Sequence, residues 1–417
     1  MRVTTAFNKL LALNATFVQA VNFDPSQISV TVRLARRRLR CPHCNYATMS
    51  VYDRRPKPSK WRHLDVCGQP LILACSLRRL RCPTHGVTTE QVPFARPGAR
   101  VTHDFENLVV WCVTSMDRTA ATVLCRVAWR TVNAIIERVV PSTPDLTRIE
   151  GLVHIGVDEI SWKRGHKYLT LVVDHDTGDV IWGAKDRTAA TLEEFFEQLG
   201  PDKTAELEAI SMDFGAPYAK AAREKAPNAA ICLDPFHTVA MATKALDETR
   251  RDLVNEMKRI DPDAAKAFKA SRWVLLHNPE NLTDTQAAQL RKIKRGGRGI
   301  WRAYQLKEAL RTIYSDHTLG FDDSRWLLDK WISRALRSQL PAFIRLAKTL
   351  RSRFEEVTNA WFYGITNARN EGTHSAIRTI FARAHGFHTA EAALSTINLV
   401  CGPTPIPGPH PSTAQAA

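Results

Sequence analysis

Three aspartates, Asp158, Asp213 and Asp234, each close a short apolar, β-rich run on a side chain able to hold a cation or orient a water. The runs are Leu152-Val-His-Ile-Gly-Val-Asp158, Leu207-Glu-Ala-Ile-Ser-Met-Asp213 and Ala229-Ala-Ile-Cys-Leu-Asp234, and His237 follows the last. Far downstream, Glu371, His374, Ser375 and Arg378 recur at i, i+3, i+4 and i+7. As a helix this segment aligns a carboxylate, an imidazole and a guanidinium on one stripe, with Ile377, Ile380 and Phe381 on the other side. The stripe faces either a site or solvent. A second cluster is Cys41-Pro-His-Cys44 and Cys82-Pro-Thr-His85, two short knuckles 37 residues apart. Three thiolates and one imidazole complete the tetrahedral set that Zn²⁺ takes, so Cys41, Cys44, Cys82 and His85 are its expected ligands.

The elements around the aspartates predict how they meet. A second strand, Tyr168-Leu-Thr-Leu-Val-Val, an Asp/Gly turn at 174–179 and a third run, Val180-Ile-Trp-Gly-Ala, indicate consecutive antiparallel strands. The amphipathic helix Thr191-Leu-Glu-Glu-Phe-Phe-Glu-Gln-Leu then implies a crossover to a strand parallel to the first. Three strands, a helix and a strand open an RNase H-like mixed sheet. With the fourth strand beside the first, Asp213 faces Asp158 across one strand spacing, ~4.8 Å, and Asp234 lies one strand further out. Asp213 is therefore the expected second catalytic acid, and Asp234, His237, His374 and Arg378 are auxiliary candidates.

Charge points to a polyanion. Residues 1–100 hold 17 Lys/Arg against the four acids Asp24, Asp53, Asp65 and Glu90, so this segment carries most of the net +16. Arg36, Arg37, Arg38 and Arg40 crowd the first knuckle and Arg78, Arg79 and Arg81 the second, as in a basic zinc ribbon that neutralises DNA phosphates. The stretch Gln69-Pro-Leu-Ile-Leu-Ala-Cys75-Ser-Leu-Arg between them reads as ribbon strand. Residues 102–140 read as three helices. The last two, joined by a tight turn at Cys125-Arg126-Val127 that lacks the usual Gly, fit a helix-turn-helix or an ordinary helical bundle. In the first case Arg130, Thr131 and Asn133 open the helix that meets DNA.

From 239 to 359 the sequence is helical and basic, an expected all-α insertion with Trp273, Trp301, Trp326 and Trp331 as core candidates and a solvated loop at Lys294-Arg-Gly-Gly-Arg-Gly299. The expected domains are a basic zinc ribbon at 1–100, a helix-turn-helix at 101–145, an RNase H-like core at 150–238 and 360–395 interrupted by that insertion, and a Pro-rich disordered tail at 396–417. No apolar run approaches the roughly 18 residues of a membrane span, no secretory signal is apparent, and the irregular cysteine spacing does not suggest a disulfide framework, so a cytoplasmic, nucleoid-associated protein is expected.

Cys-Pro-x-Cys at 41–44, Asp158, Ser-Met-Asp213, Asp234-Pro-Phe-His237-Thr-Val, Leu246-Asp-Glu-Thr-Arg-Arg251 and Asn370-Glu371-Gly with Arg383-Ala-His-Gly-Phe387 resemble the ISL-three group of bacterial insertion-sequence transposases, over roughly residues 1–395. The resemblance implies a zinc-binding segment, a helix-turn-helix and a DDE catalytic domain in which Glu371 joins Asp158 and Asp213. It departs at His85, where the group commonly has Cys. Clustered carboxylates repel unless a cation offsets them, and two Mg²⁺ (or Mn²⁺) ions would both do so and clamp an in-line phosphoryl displacement. The expected activity is cleavage at the element's ends and transfer of the 3′-OH strands to target DNA. The expected partners are double-stranded terminal inverted repeats and target DNA, with a homodimer or higher assembly on DNA. Two other functions use parts of the same residues: a zinc-ribbon/helix-turn-helix transcriptional regulator, and a metal-dependent nuclease without strand transfer.

Overall fold

The computed structural model describes residues 1–140, 146, 149–163, 165–214, 217–296, 298–365, 368–405 and 408, with the side chains of 298 and 368–371 outside that description. The chain forms two compact units, Met1–Ser142 with Thr379–Ala417, and Thr143–Arg378.

The first unit opens with α1 (Val3–Leu11), β1 (Thr16–Asp24) and β2 (Gln27–Leu34). The ribbon strands β3 (Leu39–Arg40), β4 (Ala47–Thr48) and β5 (Asp53–Arg54) precede β6 (Ser59–Val66) and β7 (Gln69–Cys75), and β8 (Arg78–Cys82) and β9 (Gly86–Thr89) return to the ribbon. β6 and β7 do not join it. They complete a four-stranded sheet of order β1-β2-β7-β6, in which β2 and β7 run parallel. The expectation that 69–78 belongs to the ribbon is thus corrected for β7. Its alternation buries Leu71, Leu73 and Cys75 with Val30, Val32 and Trp61, a core too large for a ribbon's short strands. Only the sets β3-β4 and β5-β8-β9 carry the knuckles.

Helices α2 (His103–Ser115), α3 (Arg118–Cys125) and α4 (Trp129–Val139) follow, packed through Val109, Ala121, Val132, Ile135 and Ile136. The α3–α4 turn has no Gly, and Arg126 takes the left-handed conformation itself, at φ +53°. Its guanidinium pairs with Asp65 and donates to the Gly68 carbonyl (2.9 Å), contacts that offset the steric cost of a Cβ there.

The second unit contains β10 (His154–Lys163), β11 (Lys167–Asp174), β12 (Val180–Lys185), α5 (Ala189–Leu199), α6 (Pro201–Ala205), β13 (Ala209–Met212), α7 (Tyr218–Lys225) and β14 (Ala230–Leu233). The sheet order is β12-β11-β10-β13-β14, antiparallel among the first three and parallel among the last three. This is the mixed RNase H-like sheet. Ile155, Val157, Ile210, Met212 and Ile231 point to one face, where Leu192, Phe195, Tyr218 and Ala221 of α5 and α7 bury them. Because side chains alternate, Gly156, Asp158, Ser211 and Cys232 occupy the other face.

The helical region comprises α8 (Pro235–Met257), α9 (Pro262–Lys269), α10 (Arg272–Leu276), α11 (Asp284–Gly296), α12 (Arg298–Ser315), α13 (Phe321–Leu336), α14 (Pro341–Ser352) and α15 (Phe354–Phe362). Leu246, Leu306, Leu328, Trp331 and Phe343 form its core, whereas Trp273 and Trp326 are exposed, against expectation. The expected loop at 294–299 is mostly helix: α11 reaches Gly296 and α12 starts at Arg298, with residue 297 outside the described residues. α15 packs on the sheet, where the Asn359 amide donates to the Ile231 carbonyl (3.0 Å) and Ala360 meets Ala209 and Cys232. α16 (Ala368–Ala384) and α17 (Ala390–Cys401) end the described helices. α17 is a correction: residues 396–401, expected in a disordered tail, are helical, and Leu399 is buried with Val132 and Ile135 in the first unit. Most of 406–417 lies outside the described residues.

Candidate active site

Strand register sets the acids. Gly156 pairs with Ser211, and Met212 with Leu233, so continuing both registers aligns Asp158, Asp213 and Asp234 as one row across three strands. β13 and β14 stop one residue short of their aspartates, at the carboxyl ends where open α/β sheets form sites. Asp158 differs from the expected strand end. β10 continues to Lys163 in a hairpin with β11, and Asp158 pairs with Leu171 in mid-strand. β13 pairs with β10 only as far as Gly156, so Asp158 lies just beyond the parallel ladder.

Two imidazoles engage the row. His237 Nε2 lies 2.8 Å from Asp213 Oδ1 and 3.7 Å from Asp234 Oδ2. His374 Nε2 lies 2.9 Å from Asp158 Oδ2. The hydrogen bond to Asp213 raises the affinity of His237 for its proton against the effect of burial, and the charges of Asp213, Asp234 and Asp158 add to it. The bond to Asp158 does the same for His374, which Arg378 opposes. Asp234 has a second task. Its Oδ1 accepts the Phe236 N–H (2.7 Å) and so caps α8 at the first turn. Asp213 is the more open of the two, with 42 % side-chain exposure against 15 %.

Ligand atoms of Asp213, Asp234 and His237 all lie within 4.8 Å of one another, a spacing and a largely oxygen donor set that fit a hard divalent cation. Glu371 lies on α16, one turn before His374, and its side chain is outside the described residues. α16 is pinned to the sheet by His374 and by Thr373, whose hydroxyl donates to the Gly178 carbonyl in the β11–β12 turn (3.0 Å). Arg378 is exposed on the same helix.

Sequence reasoning missed the layer beneath. His175, in that turn, is buried with its Nε2 2.6 Å from Ser211 Oγ, one residue pair below the acids on the same face. Gly156 makes room for it, since a Cβ there would lie 2.9 Å from His175 Nε2. The signal was present as a Gly two residues before Asp158 and a Ser two before Asp213, but the strand register that joins them is not local.

The zinc ligands converge. Cys44 Sγ lies 3.6 Å from Cys82 Sγ, and His85 Nδ1 lies 3.6 Å from Cys82 Sγ and 3.7 Å from Cys41 Sγ, all four atoms falling within 4.8 Å. A tetrahedron with Zn–S of about 2.3 Å and Zn–N of about 2.0 Å has edges of about this length. Burial opposes ionisation of Cys82, but bonds from the His85 backbone and ring and from the Thr84 backbone bring it down to about 6, toward the thiolate that zinc takes.

The expected DNA contacts divide. Arg37, Arg38, Arg40, Arg81 and Arg130 are exposed, and Arg36 and Thr131 are half-buried. Arg78 is bound to buried Glu90 (2.6 Å) and to the carbonyls of Arg36 and Arg37, and Arg79 is paired with Asp53. Asn133 accepts from buried Arg118 (2.9 Å), so its carbonyl serves the helix pair rather than a base.

Three family models match the chain in succession. Residues 37–85 match the model described as zinc-finger of transposase IS204/IS1001/IS1096/IS1165, residues 90–140 that of the helix-turn-helix domain of transposase family ISL3, and residues 155–397 the ISL3 DDE model, described as transposase. A transposase for insertion sequence element IS1557 from Mycobacterium tuberculosis is 35% identical, covering 98% of each chain. The chain belongs to the ISL3 transposase family. A transposase for insertion sequence element IS1001 from Bordetella parapertussis is 25% identical over 88% of this chain and 90% of its own. This transposase thus carries a zinc ribbon, a helix-turn-helix and a DDE domain, and it acts on DNA. The helix-turn-helix match decides between the two readings of 102–140. Among the described residues no helix is long and apolar enough to cross a membrane.

Proposed function

We propose that this transposase cuts the ends of an insertion sequence and transfers the freed 3′-OH strands to target DNA, with Asp158, Asp213 and Glu371 holding two divalent ions. The observation that carries the reading is the row of Asp158, Asp213 and Asp234 across parallel strands, with α16 held onto it through His374 and Asp158. Glu371 lies one helical turn before His374 on α16, the helix that His374 holds against Asp158. Mg²⁺ or Mn²⁺, when bound, supplies charge neutralisation and a nucleophilic oxygen at neutral pH.

The protein's own groups do the positioning. Asp158 and Asp213 set two corners of the site from one rigid sheet. Asp234 fixes the start of α8 and thereby His237, which bridges Asp213 and Asp234 and partly offsets their charge. His374 does the same for Asp158, and Arg378 offers a guanidinium to a phosphate oxygen. The cellular site of action is the cytoplasm, on nucleoid DNA, and joining two ends calls for at least two protomers.

A strand-transfer assay with the element's terminal inverted repeats tests this. The expected result is metal-dependent cleavage followed by joining, on assemblies larger than one protomer. Cleavage without joining would leave a nuclease, and specific binding without cleavage a regulator.

A further inference from the structure

We infer that a cleft in the first unit, walled by the zinc ribbon on one side and β6 with the 94–103 segment on the other, seats a DNA phosphate backbone. This contact is additional to the exposed ribbon arginines and to α4, and it rests on the reading that the chain acts on DNA. The cleft has a volume of about 620 Å³ and presents Arg55, Lys60, Arg96 and Arg100. Among its lining residues the carboxylate is Glu90, which is already satisfied: it takes the backbone N–H, Nε and Nη2 of Arg78 at 2.8, 3.0 and 2.6 Å. The cleft is therefore cationic through Arg55, Lys60 and Arg100, while Arg78 and Arg79 of the ribbon and Arg96 of the wall are committed to acids of their own.

Its walls are stapled. The Arg62 N–H donates to the Arg100 carbonyl (3.0 Å), Thr102 N–H to the Arg62 carbonyl (2.9 Å) and His103 N–H to the Phe94 carbonyl (2.9 Å), fixing 94–103 along β6. Opposite, the Gln91 N–H donates to the Arg40 carbonyl (2.9 Å) and Glu90 N–H to the Arg78 carbonyl (3.0 Å). Little backbone ordering remains to oppose binding. The floor is closed to an apolar guest, because Trp61 is buried edge-on against Phe94 with ring centres 5.2 Å apart. A space of this size is too small for a duplex to enter and suits one sugar-phosphate strand passing over it. Lys60 and Arg100 are exposed at the rim. Arg96 pairs with fully buried Glu106, which also takes Arg138 Nε of α4 (2.9 Å). One carboxylate thus ties the cleft wall to the helix that opens with Arg130, so a phosphate held here sets where α4 meets the groove.

The test is fluorescence anisotropy of the zinc-loaded full chain with a terminal-repeat duplex and an unrelated duplex across a salt series. Lys60→Gln with Arg100→Gln is expected to weaken both duplexes about tenfold and to reduce the log–log salt slope by about 2, and each single change by about 1. Arg33→Gln, an exposed arginine of β2, is expected to leave both quantities unchanged. Unchanged affinity and slope in the single and double variants, at wild-type zinc content, would overturn the cleft alone. A loss confined to the terminal-repeat duplex would also overturn it, as that marks base reading. Wild-type chain that binds neither duplex would overturn the DNA-acting reading and the cleft together.

Discussion

The imidazole of His374, on a helix near the end of the chain, lies 2.9 Å from the carboxylate of Asp158 on the first strand of the central sheet. This contact holds α16 against the first strand of the sheet, and the proposal that Glu371 of that helix joins the two aspartates builds on it.

Asp213 and Asp234 are separable by experiment. Asp213→Asn is expected to lower strand cleavage by at least about 10²-fold while DNA binding survives, as are Asp158→Asn and Glu371→Gln. Asn is as good a helix cap as Asp, so Asp234→Asn should keep α8 and the melting temperature and reduce cleavage less. A dead Asp234→Asn beside an active Asp213→Asn would reverse their roles.

Gly156→Ala probes the buried layer. Its Cβ would sit 2.9 Å from His175 Nε2, and the ring cannot yield without leaving Ser211 Oγ, 2.6 Å away. Overpacking of this kind costs about 1–3 kcal/mol, measurable by denaturant titration, and cleavage should fall with it. A variant as stable as wild type would show that the His175–Ser211 pair is loosely held.

Zinc retention should follow ligand chemistry at position 85. His85→Cys gives four thiolates, a set zinc also takes, and is expected to hold zinc, whereas His85→Ala should weaken retention against a chelator by more than about tenfold, since even indirect partners of zinc ligands cost about 10–100-fold. Metal content after dialysis reads this directly. Equal retention by His85→Ala and wild type would remove His85 from the ligand set.

Acid should loosen the first unit through His63. Burial lowers its pKa, with Asp104 opposing, and its Nδ1 lies 2.8 Å from Thr102 Oγ1, the cap of α2. Above the unfolded value of about 6.5 the ring is neutral in both states. As pH falls below that, the unfolded chain binds a proton that the folded chain resists, so stability drops by up to about 1.4 kcal/mol per pH unit. His103 is lowered too, by burial and then Arg96, so His63→Gln should flatten only part of the decline between pH 7 and 5. A slope identical to wild type in that variant would sink the assignment.

The amino-acid sequence by itself determined what local pattern can carry. Two knuckles with short ligand spacing, alternating strands and acids at the ends of apolar runs marked a zinc ribbon, a mixed sheet and candidate acids, and the motifs marked the family. Tertiary structure decided what depends on partners distant in the chain. β7 looks like a ribbon strand until Leu71 and Leu73 find Val30 and Trp61 in a separate four-stranded sheet. Arg126 replaces a turn glycine because Asp65 and Gly68 wait for its guanidinium. Arg78 reads as a DNA contact until Glu90 claims it, and residues 396–401 read as tail until Leu399 meets Ile135. The physical reason is the same in each case. A side chain's local spacing fixes the face it presents, but burial and ion pairing are settled by whichever distant residue completes the contact.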